Sequence, residues 1–279
     1  AYQKVSYYSG VQLFNQKNYN EADKMFNQSL ENPIDGDLQA ACYFWIGEIR
    51  FTENKYALAI NNHVKFQDLS KVAKDLPEET TIPYSNYTIG YSYFKQKSYS
   101  NASNYFSKVT TSLKTSKTDI TQNNVYIDAV LRLGDCYFMT KDYKKAEQNY
   151  SKIIDNNSKG VDYALYQKGM LQGLQNNNNG KISTLQQIKT KYPNSLYMDD
   201  ALYEIANTYF IMKQNSSAIT GFKELVASKP NSSYAVKAYL KLGLIYFNEK
   251  DYANSEKYYK MAYEMSPNSA EGNEAKDGL

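Results

Sequence analysis

One small residue recurs along the chain inside the same surrounding pattern. The recurring residues are Gly10, Gly47, Gly90, Gly134, Gly169, Ala206 and Gly243. The successive separations between them are 37, 43, 44, 35, 37 and 37 positions. Around each of them, large apolar residues stand three and four positions apart, and a second such run follows after a short turn. Because this spacing places side chains on one face of a helix, each unit predicts two helices, A and B.

The residue types within a unit fit two helices packed as a hairpin. Gly or Ala at the eighth position lets helix A approach helix B, and Ala at the twentieth, as in Ala146 and Ala218, offers a matching flat surface. A Tyr just before helix B, such as Tyr143, is expected to wedge the turn, and a final Pro, such as Pro230, stops helix B. Since no hairpin buries its apolar face alone, stacking of the units is needed to make a continuous core.

We therefore predict an all-α solenoid of about seven helical hairpins, without β-sheet, as a single continuous array over residues 1–279. The hairpins are expected at 3–35, 40–75, 83–118, 127–158, 162–194, 199–231 and 236–268, with 269–279 a cap or the start of a further repeat. The fifth is irregular, because Lys181 stands where Ala is expected and the polar run 176–180 separates its helices, which predicts a lengthened turn or a hinge. Extra residues at 68–83 and 110–124 predict longer second helices with exposed connections.

The run Leu133-Gly134-x2-Tyr137, followed by Ala146-x3-Tyr150, resembles the signature of the tetratricopeptide repeat. The resemblance holds for seven units in register and covers almost the whole chain. It implies a right-handed α-solenoid that holds other proteins.

Two junctions between units share a sequence of the Lys-x-Pro-Asn-Ser type, at residues 191–195 and 229–232. They resemble junctions in the tetratricopeptide domains of bacterial envelope proteins, namely Tol–Pal system coordinators and outer-membrane assembly lipoproteins. This resemblance implies a scaffold without enzymatic activity in the periplasm or at the outer membrane. A cytoplasmic location is the alternative.

Charge and cysteine content exclude several classes of function. The net charge of +3 is spread along the chain and Arg50 and Arg132 are the only arginines, so the concentrated basic stripe of a nucleic-acid binder is missing. No stretch approaches the roughly 20 apolar residues of a membrane helix, so direct membrane insertion of this chain is not expected. Cys42 and Cys136 are expected to be free thiols buried as small apolar residues.

Little in the sequence points to catalysis. The single histidine, His63, stands where the pattern expects Phe, which favours a packed core histidine over a catalytic one. There is no metal-ligand spacing, phosphate-binding loop or nucleophile elbow. We predict that the protein is not an enzyme and has no catalytic residue, metal or cofactor.

Aromatic residues on the A helices form the candidate binding site. In tetratricopeptide domains the second, fifth, ninth, twelfth and thirteenth positions of helix A line the concave groove, and here the fifth and twelfth positions are mostly aromatic. They lie seven residues apart and so share a helix face. The predicted groove residues are Phe51, Tyr87, Tyr91, Phe94, Phe138, Tyr166, Tyr203, Phe210 and Phe247. The alternative is that these rings pack between neighbouring A helices and only set the shape of the array.

These observations predict a protein–protein interaction scaffold for a bacterial envelope assembly or secretion process, as part of a multiprotein complex. A protein or peptide segment is the expected partner. One alternative is a carbohydrate-binding uptake lipoprotein built on the same helices, which would carry stacking tryptophans, whereas Trp45 is the single Trp here. A helical glycosidase barrel is a further alternative, but it needs an acidic, Trp-rich cavity.

Overall fold

The computed structural model describes residues 2–114 and 123–279, and helices are the regular secondary structure found there. The predicted all-α fold is confirmed, since the described residues form fifteen helices and no strand. The helices are α1 (Tyr2–Asn15), α2 (Tyr19–Leu30), α3 (Gly36–Thr52), α4 (Tyr56–Ser70), α5 (Ile82–Lys95), α6 (Tyr99–Lys114), α7 (Asn124–Met139), α8 (Tyr143–Asp155), α9 (Val161–Leu174), α10 (Asn178–Lys191), α11 (Met198–Ile211), α12 (Asn215–Ser228), α13 (Ala235–Asn248), α14 (Tyr252–Met265) and α15 (Ala270–Asp277). Each described helix is too short or too polar to span a membrane.

The helices pair in order as hairpins, α1 with α2 through α13 with α14. The chain divides into two compact units, which we call unit 1 (residues 1–159) and unit 2 (residues 160–279). Unit 1 contains four hairpins, and unit 2 contains three hairpins and α15. A single continuous array over both units stays a prediction.

In six of the seven hairpins a glycine of helix A lies against a large side chain of helix B. A Cβ added at Gly134 would lie 2.6 Å from Cε1 of Tyr150, and one at Gly90 would lie 3.0 Å from the Phe106 ring. Non-bonded carbon atoms rest about 3.5–4 Å apart, so these contacts require glycine. The expected flat partner surface is also present, since Ala146 and Ala218 are fully buried.

The turns between helices A and B all use one backbone geometry. The amide that follows each turn donates to the carbonyl five residues earlier, as from Gln214 to Tyr209 at 2.9 Å, which is the Schellman arrangement. The preceding residue is left-handed in every hairpin, although none of the seven is glycine. These residues are Lys17, Asn54, Lys97, Lys141, Asn176, Lys213 and Lys250.

The tyrosine expected to wedge the turn is the first residue of helix B. It packs against the phenylalanine at the twelfth position of helix A, for example Tyr143 against Phe138 with ring centroids 6.1 Å apart. The same pair occurs in α5–α6, where Tyr99 lies 5.4 Å from Phe94. This contact fixes how the chain enters helix B.

In the fifth hairpin a small residue replaces a large one on helix A, and a large residue replaces a small one on helix B. Its twelfth residue is Gly173 instead of Phe, and its twentieth is Lys181 instead of Ala. A Cβ added at Gly173 would lie 2.9 Å from Cδ of Lys181, so the lysine stem occupies the space beside the glycine. The irregular hairpin is therefore packed, and its turn has the same geometry as the others.

Longer second helices precede both predicted insertions and run into them. Helices α4 and α6 have 15 and 16 residues, whereas the B helices of the other five hairpins have 12 to 14. The first connection is held at α3, because the amides of Lys74 and Asp75 donate to the Asp37 carboxylate at 2.9 and 2.8 Å. In the second, residues 115–122 lie outside the described part of the chain.

Helix α15 covers the end of unit 2 by packing on α13 and α14. Its N-cap is Ser269, whose hydroxyl accepts from the amide of Gly272 at 2.9 Å. Gly272 is buried against the Ser266 carbonyl, and the opposite face of the helix carries the exposed polar residues Glu274 and Asp277. A cap and the start of a further repeat, the two interpretations of residues 269–279, would both place a helix here.

Candidate protein-binding face

The predicted site residues at the twelfth position lie at the ends of the A helices and are not enclosed in the core. Phe51, Phe94, Phe138 and Phe210 are partly exposed, and Phe247 is 50% exposed. All except Phe210 pack one side of the ring on the first tyrosine of helix B. Each of these rings therefore combines a structural contact with a solvent-accessible side.

The fifth-position residues divide into two groups. Tyr87, Tyr166 and Tyr203 are partly exposed, as expected for a groove. Tyr7 and Phe44 are buried, with 1% and 3% exposure. The predicted second aromatic row is therefore interrupted, and only part of it can meet a partner.

In unit 1, helices α3 and α5 bring four predicted residues together. The Tyr91 ring lies 4.9 Å from that of Tyr87 and 6.4 Å from those of Phe51 and Phe94. Tyr91 occupies the ninth position of its hairpin, one helical turn from Tyr87, and therefore bridges the fifth and twelfth positions. We call these four rings the unit 1 aromatic cluster.

Asp128 of α7 orients this cluster, and the sequence did not single it out. The hydroxyl of Tyr87 donates to Oδ2 of Asp128 at 2.8 Å, and that of Tyr91 donates to the same oxygen. Burial, reinforced by the Asp128 charge, raises the pKa of both phenols. Both tyrosines consequently stay neutral donors at physiological pH, and their rings are held in fixed orientations.

A second carboxylate of α7 joins this surface to the core of its own hairpin. Asp135 is buried, accepts from Arg132 at 2.5 Å and accepts from the hydroxyl of Tyr150 at 2.8 Å. Tyr150 is the ring that packs on Gly134. The orientation of the arginine thus depends on the close approach of α7 and α8.

In unit 2, tyrosines of the junctions between hairpins cover the predicted rings. Tyr197 stacks on Tyr166 with centroids 5.4 Å apart, and Tyr234 stacks on Tyr203 at 4.8 Å. Burial and nearby carboxylates raise the pKa of Tyr166 to about 12. Only the uncovered side of each ring is available to a partner.

The Pro-Asn-Ser junctions place those tyrosines by a repeated hydrogen-bond pattern. Ser195 donates to the Asp162 carboxylate, and Ser232 donates to that of Asp199, both at 2.7 Å. The same serine hydroxyl accepts from the tyrosine amide two residues later, at 3.1 Å from Tyr197. The junction sequence therefore has a packing role inside unit 2.

A lysine of the next A helix lies over the remaining predicted ring of α11. The Lys241 ammonium lies 5.0 Å from the centroid of Phe210, a cation–π contact between neighbouring A helices. Lys181 is buried and its ammonium lies 2.5 Å from Oε2 of Glu204. Unit 2 therefore holds a cation–π contact at Phe210 and, separately, a buried ion pair between α10 and α11.

His63 and Trp45 belong to the core of unit 1. His63 is fully buried against Gly47 and Phe44, so the predicted core histidine is confirmed. Its Nε2 lies 3.1 Å from Oε1 of Glu48, but outside hydrogen-bonding direction. Trp45 is 7% exposed and donates to the Tyr7 hydroxyl at 3.1 Å, so the single tryptophan is not placed to stack on a sugar.

Family models of the tetratricopeptide repeat match residues 83–112, 128–159, 163–195 and 236–269. The chain contains tetratricopeptide repeats. The matched segments fall on the third, fourth, fifth and seventh hairpins, so the predicted register of small residues is that of the repeat. Comparison with curated protein sequences finds no match.

Solved tetratricopeptide structures share the fold. The C-terminal part of a TPR repeat-containing protein from Cytophaga hutchinsonii is 16% identical with a TM-score of 0.76, covering 98% of this chain and 99% of that one. A tetratricopeptide repeat protein from Parabacteroides merdae is 16% identical with a TM-score of 0.59, covering 99% and 98%. YrrB, described as a TPR protein with an unusual peptide-binding site, is 18% identical with a TM-score of 0.54, covering 76% and 96%.

Proposed function

We propose that this chain is a non-enzymatic scaffold that holds a protein segment against the partly exposed aromatic residues of its A helices. The observation that carries the proposal is that no phenylalanine at the twelfth position is enclosed in the core, with Phe247 half exposed. Tetratricopeptide proteins generally mediate protein–protein interactions, and YrrB is described as having a peptide-binding site.

An elongated partner suits this arrangement better than a compact one. Partly exposed rings occur on several successive A helices. An extended segment that passes from one A helix to the next would therefore contact several of them. Burial of apolar surface contributes about 25 cal/mol per Å², and a few aromatic residues usually carry most of the binding energy. Rings already held in place, as Asp128 holds Tyr87 and Tyr91, lose little conformational entropy on binding.

The test compares two double variants of the full chain in capture from an extract of the native host. Phe94→Ala with Phe138→Ala removes two rings of the proposed face in unit 1. Ile34→Ala with Val72→Ala removes two side chains that are 92% and 80% exposed elsewhere in the same unit. We expect the first variant to lose the captured partner and the second to keep it, with similar circular-dichroism melting curves.

Two outcomes would contradict the proposal. If the Phe94/Phe138 variant unfolds, the rings belong to the packing of the hairpins. If it folds and captures the same partner as the unmodified chain, the partner binds elsewhere.

We also propose that the scaffold works in a bacterial envelope. The support is the resemblance of the Lys-x-Pro-Asn-Ser junctions to those of envelope tetratricopeptide domains. Fractionation of the native host, followed by detection with an antibody, tests this location. Recovery with cytoplasmic markers alone would overturn it.

A further inference from the structure

Two hairpins carry a stacked pair of tyrosines away from the proposed binding face. Tyr105 of α6 stacks on Tyr93 of α5 with centroids 5.7 Å apart, and Tyr258 of α14 stacks on Tyr246 of α13 at 5.6 Å. In both pairs the second tyrosine follows the first by twelve residues. This register places the two rings face to face across the hairpin.

The α11–α12 hairpin has only the first ring of this pair. Tyr209 occupies the place of Tyr93 and Tyr246, but twelve residues later stands Gly221. Among the described residues, neither an aromatic ring nor an ammonium group lies against the Tyr209 ring. The face that is covered in the other two hairpins is therefore open here.

The sequence explains why this hairpin cannot supply its own second ring. Its eighth residue is Ala206, where the other hairpins have glycine. A Cβ added at Gly221 would lie 2.8 Å from Cβ of Ala206, so the alanine excludes any side chain at that position of α12. The small residue has moved from helix A to helix B, and space opens beside Tyr209.

That space is a cleft of about 370 Å³ between α10, α11 and α12. Leu202, Ile205 and Tyr209 contribute apolar surface to its lining, and Gly221 forms part of the α12 side. Lys189 and Glu224 also line it and form an ion pair with a shortest N–O distance of 2.6 Å. Its size falls within the roughly 300–1,000 Å³ of ligand pockets, which combine apolar walls with a few polar groups.

We propose that this cleft binds a planar aromatic ring of the size of a tyrosine side chain, stacked on Tyr209. The ring would take the place that Tyr105 and Tyr258 occupy in their own hairpins, where the stacked geometry already exists within this fold. Aromatic rings gain energy from offset stacking at centroid separations of about 4.5–7 Å. The Lys189–Glu224 pair offers an ammonium and a carboxylate to a polar substituent on the ring.

This site is independent of the proposed protein-binding face. Tyr209 directly precedes Phe210, and neighbouring residues of a helix point about 100° apart. Loss of one site by mutation therefore need not affect the other. If the proposed protein-binding face is disproved, this inference still stands. If the cleft proves not to bind an aromatic ring, the protein-binding face is unaffected.

The experiment titrates the full chain with N-acetyl-tyrosinamide while following the methyl resonances of Leu202 and Ile205 by NMR. We expect ring-current shifts of these methyl groups that saturate with weak affinity, and no saturating shift with N-acetyl-leucinamide. Equal binding of the leucine compound, or no shift with either, would overturn the proposal.

Variants test the position of the ring. Ala206→Gly with Gly221→Tyr rebuilds the stacked pair of α13–α14 and should abolish the shifts, whereas Ala206→Gly alone should keep them. Tyr209→Ala should weaken binding at least tenfold. Undiminished binding by the folded double variant would contradict the assignment, even if Tyr209→Ala fails to fold.

Two further probes identify the source of the ring. Tighter binding of a blocked Gly-Tyr-Gly peptide than of p-cresol assigns the cleft to a side chain of a protein segment. Equal affinities assign it to a small planar molecule.

Discussion

None of the seven left-handed turn residues is glycine, and the lysines among them are strained. A side chain in this conformation costs roughly 1–2 kcal/mol because Cβ approaches the following carbonyl oxygen. Lys213, with φ of 58°, is such a residue, and its amide donates to the Phe210 carbonyl at 2.9 Å. We expect Lys213→Gly to stabilise the protein by up to about 1 kcal/mol, measured by urea denaturation.

The same substitution inside a helix provides the control. Lys260 lies in the middle of α14, where glycine costs about 1 kcal/mol relative to a good helix former. Lys260→Gly should therefore destabilise the protein while Lys213→Gly stabilises it. Equal losses from both would show that the turn is not strained.

The two cysteines should be unreactive while the protein is folded. Burial raises the pKa of the Cys42 thiol from 9.0 to about 11 and that of Cys136 from 9.0 to about 12. The reactive species is the thiolate, so modification by a disulfide reagent at pH 8 should be slow in buffer and fast in denaturant. Rapid labelling of either thiol without denaturant would contradict their placement.

The same shifts predict a loss of stability at high pH. Because the thiol pKa values are higher in the folded state, the unfolded chain releases these protons first as the pH rises above 9.0. The contribution of the two protonated thiols to the free energy of unfolding is fully present below pH 9.0. It is lost as the pH rises through about 11 for Cys42 and about 12 for Cys136.

At the scale of elements, the exchange of Gly173 and Lys181 can be tested by a double-mutant cycle. Gly173→Phe alone meets the lysine stem and should cost about 1–3 kcal/mol through overpacking. Lys181→Ala alone leaves Glu204 without its ammonium and should cost about 2–4 kcal/mol. Together they recreate the Phe and Ala of the other hairpins, so the combined loss should fall at least about 1 kcal/mol short of the sum. Additive losses would mean that the two positions do not share one space.

The sequence predicted the helices and the contacts within a hairpin because both depend on residues close in the chain. The small residue at the eighth position and its large partner, such as Gly134 and Tyr150, repeat at a fixed spacing that a sequence displays directly. The left-handed lysines were not predicted, because lysine carries no preference for that conformation. The turn geometry imposed it.

Contacts between hairpins could not be predicted in the same way. Asp128 lies 41 residues from Tyr87, and Ser195 lies 33 residues from Asp162. Such pairs depend on how neighbouring hairpins stack, and the spacing between units varies along this chain. The Ala206–Gly221 exchange was missed for a related reason, since each residue is ordinary by itself and only their contact makes the cleft.

For the whole molecule, the main contacts join helices that are adjacent or nearly adjacent in sequence. The effect of a core substitution should therefore fade from one hairpin to the next. Gly134→Leu places a large side chain against Tyr150 and should cost about 1–3 kcal/mol. By native-state hydrogen exchange, we expect α7 and α8 to lose most protection and α13 and α14 to change little.

Gly36→Leu is the matched control, because a Cβ at Gly36 meets nothing within 4 Å. It should leave the exchange pattern of α7 and α8 unchanged. A uniform loss of protection in every helix after Gly134→Leu would show that the chain unfolds as one cooperative block.

Because the main contacts join helices that are close in sequence, they also determine how the protein responds to force. When the ends of unit 1 or unit 2 are pulled apart, the residues that the structure describes contain no strand pairing that has to shear, so the outermost hairpin can separate while the next stays packed. A repeat of 37 residues releases roughly 120 Å of extended chain, so the extension should proceed as a series of small steps. A motor that unravels this protein from one end would meet a row of low barriers and never a single high one.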